Sequence, residues 1–264
     1  MTGYRKHTIS ILPGREQEEI CLDLIRETPL SIRIQGKPYT VVMRTPGDEL
    51  AHAAGFCLAE GIAGTPGDIA SLAYCDEDAN VVTATLTRKR AHRIQKILNR
   101  RGFISQTSCG ICGKELIEDF TQQIAAVPEA EKISTETATR CLNSLSAYQT
   151  RGFCSHTAVI FSKHGKMLSV GEDVGRHNAL DKSIGKLFME KKLDAASLLV
   201  LSSRVSYELV QKTAMAKIPV IFSVSGPTAL AVQLAQSLGI AIVCQNKNNE
   251  LLVFCGRHRL EFTG

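Results

Sequence analysis

Three features of this 264-residue sequence predict a layered α/β fold. First, its second half alternates short apolar runs with helical runs. Thr157–Phe161, Met167–Val170, Ser197–Leu201, Ile218–Val224, Ile240–Cys244 and Leu251–Phe254 read as strands. Between them, Arg176–Lys191, Tyr207–Ala216 and Thr228–Ser237 carry helical periodicity. Such alternation builds a sheet covered by helices. Second, polar clusters fall at the strand-to-helix junctions, where open sheets of this class bind ligands. Third, a hydrophobic content of 44% over this length is enough to bury a full core.

The first half reads differently. Residues 1–18 are polar and look like a poorly ordered lead-in. Ile20, Leu22 and Leu24, then Leu30, Ile32 and Ile34, alternate as strands do. Gly36-Lys37 turns the chain back into Tyr39–Met43. Thr45-Pro46-Gly47-Asp48-Glu49 signals a helix start with acids at the positive dipole end. The helix spans Glu49–Glu60, with Gly55 placed for close packing. Ser71–Cys75 and Val81–Leu86 form a second hairpin, and Arg88–Arg101 a basic helix with Ile94, Ile97 and Leu98 inward. After Val127-Pro128-Glu129, Ser134 caps a helix running to about Tyr148. The expected division is an N-terminal α+β subdomain, residues 1–133, and a C-terminal α/β subdomain, residues 134–264.

Between them lies Ser105-Gln106-Thr107-Ser108-Cys109-Gly110-Ile111-Cys112-Gly113. Small polar residues and glycines place Cys109 and Cys112 on a loop that enters a helix carrying Leu116, Ile117 and Phe120 on one face. Unpaired N–H groups at a helix start favour a thiolate. Four readings stay open. Half a zinc site needs two more ligands, and neither a second Cys-x-x-Cys nor a suitable His pair exists. A thioredoxin-like thiol-disulfide pair would follow a strand, whereas basic helical residues precede this one. A sulfur-carrying nucleophile suits the polar, exposed setting. Two inert buried cysteines do not suit those flanks. No metal site is expected.

Three polar turns share the second half: Gly171–Asn178, with Arg176, His177 and Asn178; Ser202-Ser203-Arg204; and Ser225-Gly226-Pro227-Thr228. Hydroxyls, free N–H groups and guanidinium groups at strand ends suit a phosphorylated ligand. For the first turn the structural alternative is helix capping by Asp173 plus a satisfied core histidine, and it is the three turns together that point to such a ligand.

Composition excludes several classes. The net charge of +5 is mild, and no aromatic residues interleave with the Arg88–Arg101 cations, so nucleic acid is not expected as a partner. Instead those seven Lys/Arg read as a solvated face or as an electropositive wall for phosphates or an acidic partner. No apolar run approaches the roughly 20 residues of a membrane span. The opening residues have no signal-peptide pattern, and nine scattered cysteines fit a reducing cytoplasm, with Cys21, Cys57, Cys75 and Cys244 as buried thiols.

Taken together, several stretches resemble the FdhD-type formate dehydrogenase accessory sulfurtransferases, the FdhD/NarQ family. They are Thr45-Pro46-Gly47-Asp48-Glu49 with Gly55-Phe56 and Glu60-Gly61-Ile62; Cys109-Gly110-Ile111-Cys112-Gly113; Glu172–Lys182; Ser203–Val210; and Ile218-Pro219-Val220. The resemblance implies a cytidine-deaminase-like α/β core with an added N-terminal subdomain, working as a cytoplasmic homodimer. It implies sulfur carriage on a Cys109 persulfide, from a cysteine desulfurase; beside it, Cys112 is read as relaying or resolving the sulfur. The acceptor would be the molybdenum-containing bis-molybdopterin guanine dinucleotide cofactor of formate dehydrogenase. Cofactor contacts would come from Arg176, His177, Asn178, Ser203, Arg204, Ser225, Thr228 and the loop Gln245, Asn246, Lys247, Asn248, Asn249 and Glu250. The alternatives are a cofactor-binding chaperone without sulfur transfer and a thiol-disulfide oxidoreductase.

The chain departs from that pattern in three places. A usual Gly-Phe-x-Arg reads Cys244-Gln245-Asn246-Lys247, so charge is kept without a planar fork. Ser203 replaces a glycine, and Cys154 stands in the lead to His156. Zinc deamination is disfavoured, because no His-x-Glu occurs and Ser108, not proline, precedes Cys109.

Overall fold

The computed structural model describes residues 3–10, 19–100, 124–149 and 155–262. Cys109 and Cys112, and the helix expected behind them, lie outside the described residues.

The chain opens with β1 (Tyr4–Ser10) paired antiparallel to β2 (Glu19–Ile25). The expected lead-in is therefore partly a strand. Its sequence, YRKHTIS, lacks apolar alternation, and pairing with β2 supplies its hydrogen bonds. Next come β3 (Thr28–Ile34), β4 (Lys37–Arg44), helix α1 (Glu49–Ala59), β5 (Ile69–Tyr74) and β6 (Val81–Leu86). The two expected hairpins exist, but they merge into one sheet of order β4-β3-β6-β5 through a parallel β3–β6 contact. A parallel neighbour requires a crossover, and α1 lies within it. Residues 51–59 of α1 are all buried, as befits a helix apolar on every side.

Helix α2 (Arg88–Arg100) follows, then the two-residue strand β7 (Ile133–Ser134) and α3 (Thr135–Asn143). The Ser134 hydroxyl accepts the Thr137 N–H, the expected cap. The helix ends earlier than predicted, passing into a 3-10 turn at Leu145–Tyr148.

The second half holds β8 (His156–Phe161), β9 (Met167–Asp173), α4 (Arg176–Met189), β10 (Leu198–Leu201) and α5 (Tyr207–Met215). After them come β11 (Val220–Ser223), α6 (Ala229–Leu238), β12 (Ala241–Gln245), β13 (Leu251–Cys255) and β14 (Leu260–Glu261). Six of these strands form one sheet in the order β13-β12-β11-β10-β8-β9. Strands β10, β11 and β12 are parallel, and β8 and β13 are antiparallel to their neighbours. One face of this sheet packs Ala158, Ile160, Leu199, Ile221 and Ile242 into a core shared with α1, α4 and the four-stranded sheet. The other face packs Val159, Phe161, Val200, Phe222 and Val243 against Ala138, Cys141 and Leu142 of α3.

Glycines allow close backbone approach between α1 and α4. A Cβ on Gly55 of α1 would lie 1.9 Å from the Asp181 carbonyl oxygen, and one on Gly185 of α4 would lie 1.8 Å from that of Ala51. The two helices therefore meet backbone to backbone, as the placing of Gly55 predicts. Gly171 plays the same part between β9 and α4, where its Cβ would lie 2.0 Å from the Ala179 oxygen.

Of the thiols expected to be buried, Cys57 and Cys244 are, whereas Cys21 is exposed and Cys75 only half-buried. Cys21 sits on the two-stranded ribbon and Cys75 at the end of edge strand β5, where no second layer covers them.

Candidate functional site at the sheet edge

Strands β9, β10, β11 and β12 all run the same way, so their carboxyl ends share one edge of the sheet. Each predicted binding segment begins there. Arg176-His177-Asn178 follows β9, Ser203-Arg204 follows β10, Ser225–Thr228 follows β11, and Gln245–Glu250 follows β12. Tertiary structure thus joins four segments that span about 75 residues of sequence.

Their side chains divide into two groups. Some are occupied in holding the edge together. The Asn178 amide donates to the Met43 carbonyl at 2.8 Å and to Asp173 Oδ1 at 2.9 Å, fastening α4 to β4. The Thr228 hydroxyl accepts the Ala231 N–H and caps α6. Ser203 is buried, and its carbonyl accepts the Ser223 hydroxyl at 2.6 Å. The Ser225 carbonyl takes the Cys244 thiol at 3.1 Å, and its N–H donates to the Ser223 hydroxyl. Asn246 organises the β12–β13 turn by accepting the N–H groups of Asn248 and Glu250 and donating to the Glu250 carboxylate. Asn249 closes that turn in the left-handed region, at φ 63°.

The other group is free to bind. Arg204 is exposed, and its guanidinium makes no hydrogen bond or ion pair among the described residues, although its carbonyl accepts the Ser203 hydroxyl at 3.2 Å. Lys247, Asn248 and Asn249 are exposed at the loop tip, and Gln245 is half-buried. Arg176 is half-buried, with its Nε enclosed and unpaired among the described residues. A buried guanidinium N–H without an acceptor favours a ligand that brings one, and an anion does so best.

Beside them sits a feature that sequence reading missed. His177 Nε2 lies 2.8 Å from the Glu208 carboxylate and 3.4 Å from the Ser206 hydroxyl. This contact holds Glu208 below the usual carboxylate range. His156, at the first residue of β8, faces the same edge. Burial, then the Arg176 guanidinium and His177, push its pKa down, so it is biased to the neutral form. Glu208 was legible as an acid in the first turn of a helix in a quoted motif. His156 carried no signal of its own, because its place depends on β8 running opposite to β10.

A second polar cluster lies beneath this edge, between α1 and α4. Lys182 Nζ meets Asp173 at 2.7 Å and also donates to the Thr45 carbonyl at 2.7 Å, while Asp173 accepts the Thr45 N–H at 3.0 Å. Lys212 meets both oxygens of Asp181, at 2.8 and 2.9 Å. Burial pushes the Asp181 carboxyl up to about 6, with Lys212 limiting the rise. His52 of α1 is fully buried, and neither ring nitrogen has a partner among the described residues. Burial first, then Lys182, Lys212 and Arg44, hold it well below the usual histidine range. Thr45, Asp173, Asp181 and Lys182 belong to the Thr45–Glu49 and Glu172–Lys182 stretches, whereas His52 and Lys212 lie outside them.

The sequence profile of the FdhD/NarQ family matches residues 25–261. A protein named "Sulfur carrier protein FdhD" from Streptomyces coelicolor is 36% identical over 252 residues, covering 90% of this chain and 88% of its own. One of the same name from Mycolicibacterium paratuberculosis is 37% identical over 251 residues, covering 90% and 91%. The crystal structure of a candidate formate dehydrogenase accessory protein from Desulfotalea psychrophila superposes with a TM-score of 0.75. That match covers 98% of each chain at 20% identity, a likeness of fold.

Proposed function

This chain belongs to the FdhD/NarQ family, and from that premise we propose that it is a sulfur carrier serving formate dehydrogenase. In this reading Cys109 receives sulfur from a cysteine desulfurase and passes it to the bis-molybdopterin guanine dinucleotide cofactor before insertion. The Cys109 thiolate attacks the outer sulfur of the donor's persulfide. A new S–S bond forms to Cys109, the donor's S–S bond breaks, and the donor cysteine leaves as a thiolate that takes up a proton. No net oxidation occurs. Cys112 relays or resolves the sulfur.

One observation carries the cofactor half of the reading: four separate segments converge on a single sheet edge. From β9 to β12 is four strand spacings, roughly 19 Å, a span suited to an extended dinucleotide. The enclosed, unpaired Nε of Arg176 and the exposed Arg204 and Lys247 supply positive charge along it. Pyrophosphate oxygens are acceptors of the kind those groups lack. The turn at Gln245–Glu250 has neither aromatic ring nor guanidinium, so binding leans on phosphates rather than on base stacking.

We take the core to be cytidine-deaminase-like, on the strength of a six-stranded sheet in which β9, β10, β11 and β12 run together and β8 and β13 run against them. We place the subdomain boundary near residue 134, the protein in the cytoplasm, and the working unit as a homodimer. No helix among the described residues is long and apolar enough to cross a membrane.

The deciding measurement is intact mass after incubation with a cysteine desulfurase and cysteine. Wild type gains the mass of sulfur, and Cys109→Ala does not. If a Cys109→Ala/Cys112→Ala variant still restores formate dehydrogenase activity in full, the protein is a cofactor-holding chaperone instead. Reversible disulfide formation with insulin reduction would mark an oxidoreductase.

A further inference from the structure

We infer that the outward face of α2 is a docking surface for an acidic patch on the protein that donates the sulfur; the identity of the partner rests on the sulfur-carrier reading above. Helix α2 has two sides of opposite character. Inward, Ile94 is 1% exposed, and Arg90 turns back to donate to the carbonyls of Gly61 and Ile62 at 2.6 and 2.8 Å, with Asp68 alongside at 3.8 Å. Outward, Arg88, Lys89, His92 and Arg93 are all exposed. Positions i, i+1, i+4 and i+5 make one continuous strip on a helix. None of these four meets a carboxylate among the described residues.

Helix stability does not account for this strip. Arg88, Lys89 and Arg90 fill the first turn, and no acid is there to offset them. Cations at that end oppose the helix dipole, and Lys89 and Arg93 form a like-charge pair one turn apart. The inward anchors, Ile94 and Arg90, hold the helix with its strip facing solvent. Among the described residues no carboxylate offsets these charges, and an external anion would do so. The occupant is a protein, because sulfur transfer needs the donor persulfide within bonding reach of Cys109, nine residues beyond the end of α2. An acidic donor surface on this face would also speed encounter and make it salt-sensitive.

The experiment uses the full chain. Binding of a purified cysteine desulfurase is measured by fluorescence anisotropy for wild type, for Arg88→Glu/Lys89→Glu/Arg93→Glu, and for the milder Arg88→Gln/Lys89→Gln/Arg93→Gln. In parallel, Cys109 is loaded with cysteine persulfide, a small donor that needs no docking. The charge reversal is expected to weaken desulfurase binding by about tenfold or more at low salt and to flatten its salt dependence. The neutral variant should fall between, and small-donor loading should stay unchanged in both. Equal desulfurase affinity and salt dependence in all three proteins overturns the docking surface while leaving the carrier reading intact. Tighter binding to a short DNA duplex or to phosphatidylserine vesicles than to the desulfurase, lost in the same variants, also overturns it. Failure of wild-type Cys109 to accept sulfur from either donor overturns the carrier reading itself.

Discussion

The buried seam around α4 and the open edge above it both draw on the Glu172–Lys182 stretch, yet they do opposite things. In the seam, Asp173, Lys182, Asp181 and Lys212 are buried and paired at 2.7–2.9 Å. At the edge, Arg204 and Lys247 are exposed and unpaired among the described residues. The difference shows that a cluster of charges in a sequence says little about binding until its partners are known. Within Glu172–Lys182, the groups that look most ligand-like are largely saturated by protein. The residues left available are Arg176, which is half-buried with its Nε unpaired among the described residues, and the exposed residues of the later turns.

The sharpest way to break this contrast is to attack the seam. Asp173 serves Lys182, the N–H groups of Thr45 and Gly175, and the Asn178 amide at once. Asp173→Ala strands a buried cation and is expected to cost about 3–5 kcal/mol, read by urea denaturation. Replacing both partners, Asp173→Leu with Lys182→Met, should recover only part of this, because three N–H donors stay unsatisfied. Full recovery would mean that the ion pair alone matters.

The edge should respond in the other way. Arg204→Ala is expected to change stability by less than about 0.5 kcal/mol. Guanosine diphosphate binding should weaken by about 1.5–3 kcal/mol if the guanidinium makes a charged hydrogen bond to phosphate. Calorimetry at low salt reads this. Equal affinities would move the nucleotide elsewhere, and the Gln245–Glu250 turn would be the next place to mutate.

The smallest effect tests whether the seam tolerates charge. His52 is enclosed and its pKa lowered, so the unfolded chain takes up a proton near the usual value of about 6.5 while the native chain does not. Its contribution is fully present above that pH and is lost as pH falls through the window below it. Wild type should therefore lose about 1.4 kcal/mol per pH unit relative to His52→Leu in that window. Parallel curves of denaturation midpoint against pH would show that His52 finds a proton partner in the native state.

Much of the architecture was legible in the sequence because it rests on local periodicity. The β8–β9 and β12–β13 pairs, helices α1, α2, α4, α5 and α6, and the Ser134 cap follow from spacing and turn chemistry within ten or fifteen residues. Gly55 was legible as a packing residue for the same reason. Local pattern also marked three of the four turns that the fold brings to one edge, and the family resemblance marked the fourth, Gln245–Glu250. It could not separate binding groups from structural ones, because Asn178 and Asp173 acquire their partners from Met43 and Thr45, well over a hundred residues away. Nor could it find His156 beside Arg176, join two hairpins into one sheet, or expose Cys21. Those outcomes depend on which strands become neighbours and which surfaces a second layer covers. Pairings of that kind are decided only when the whole core closes.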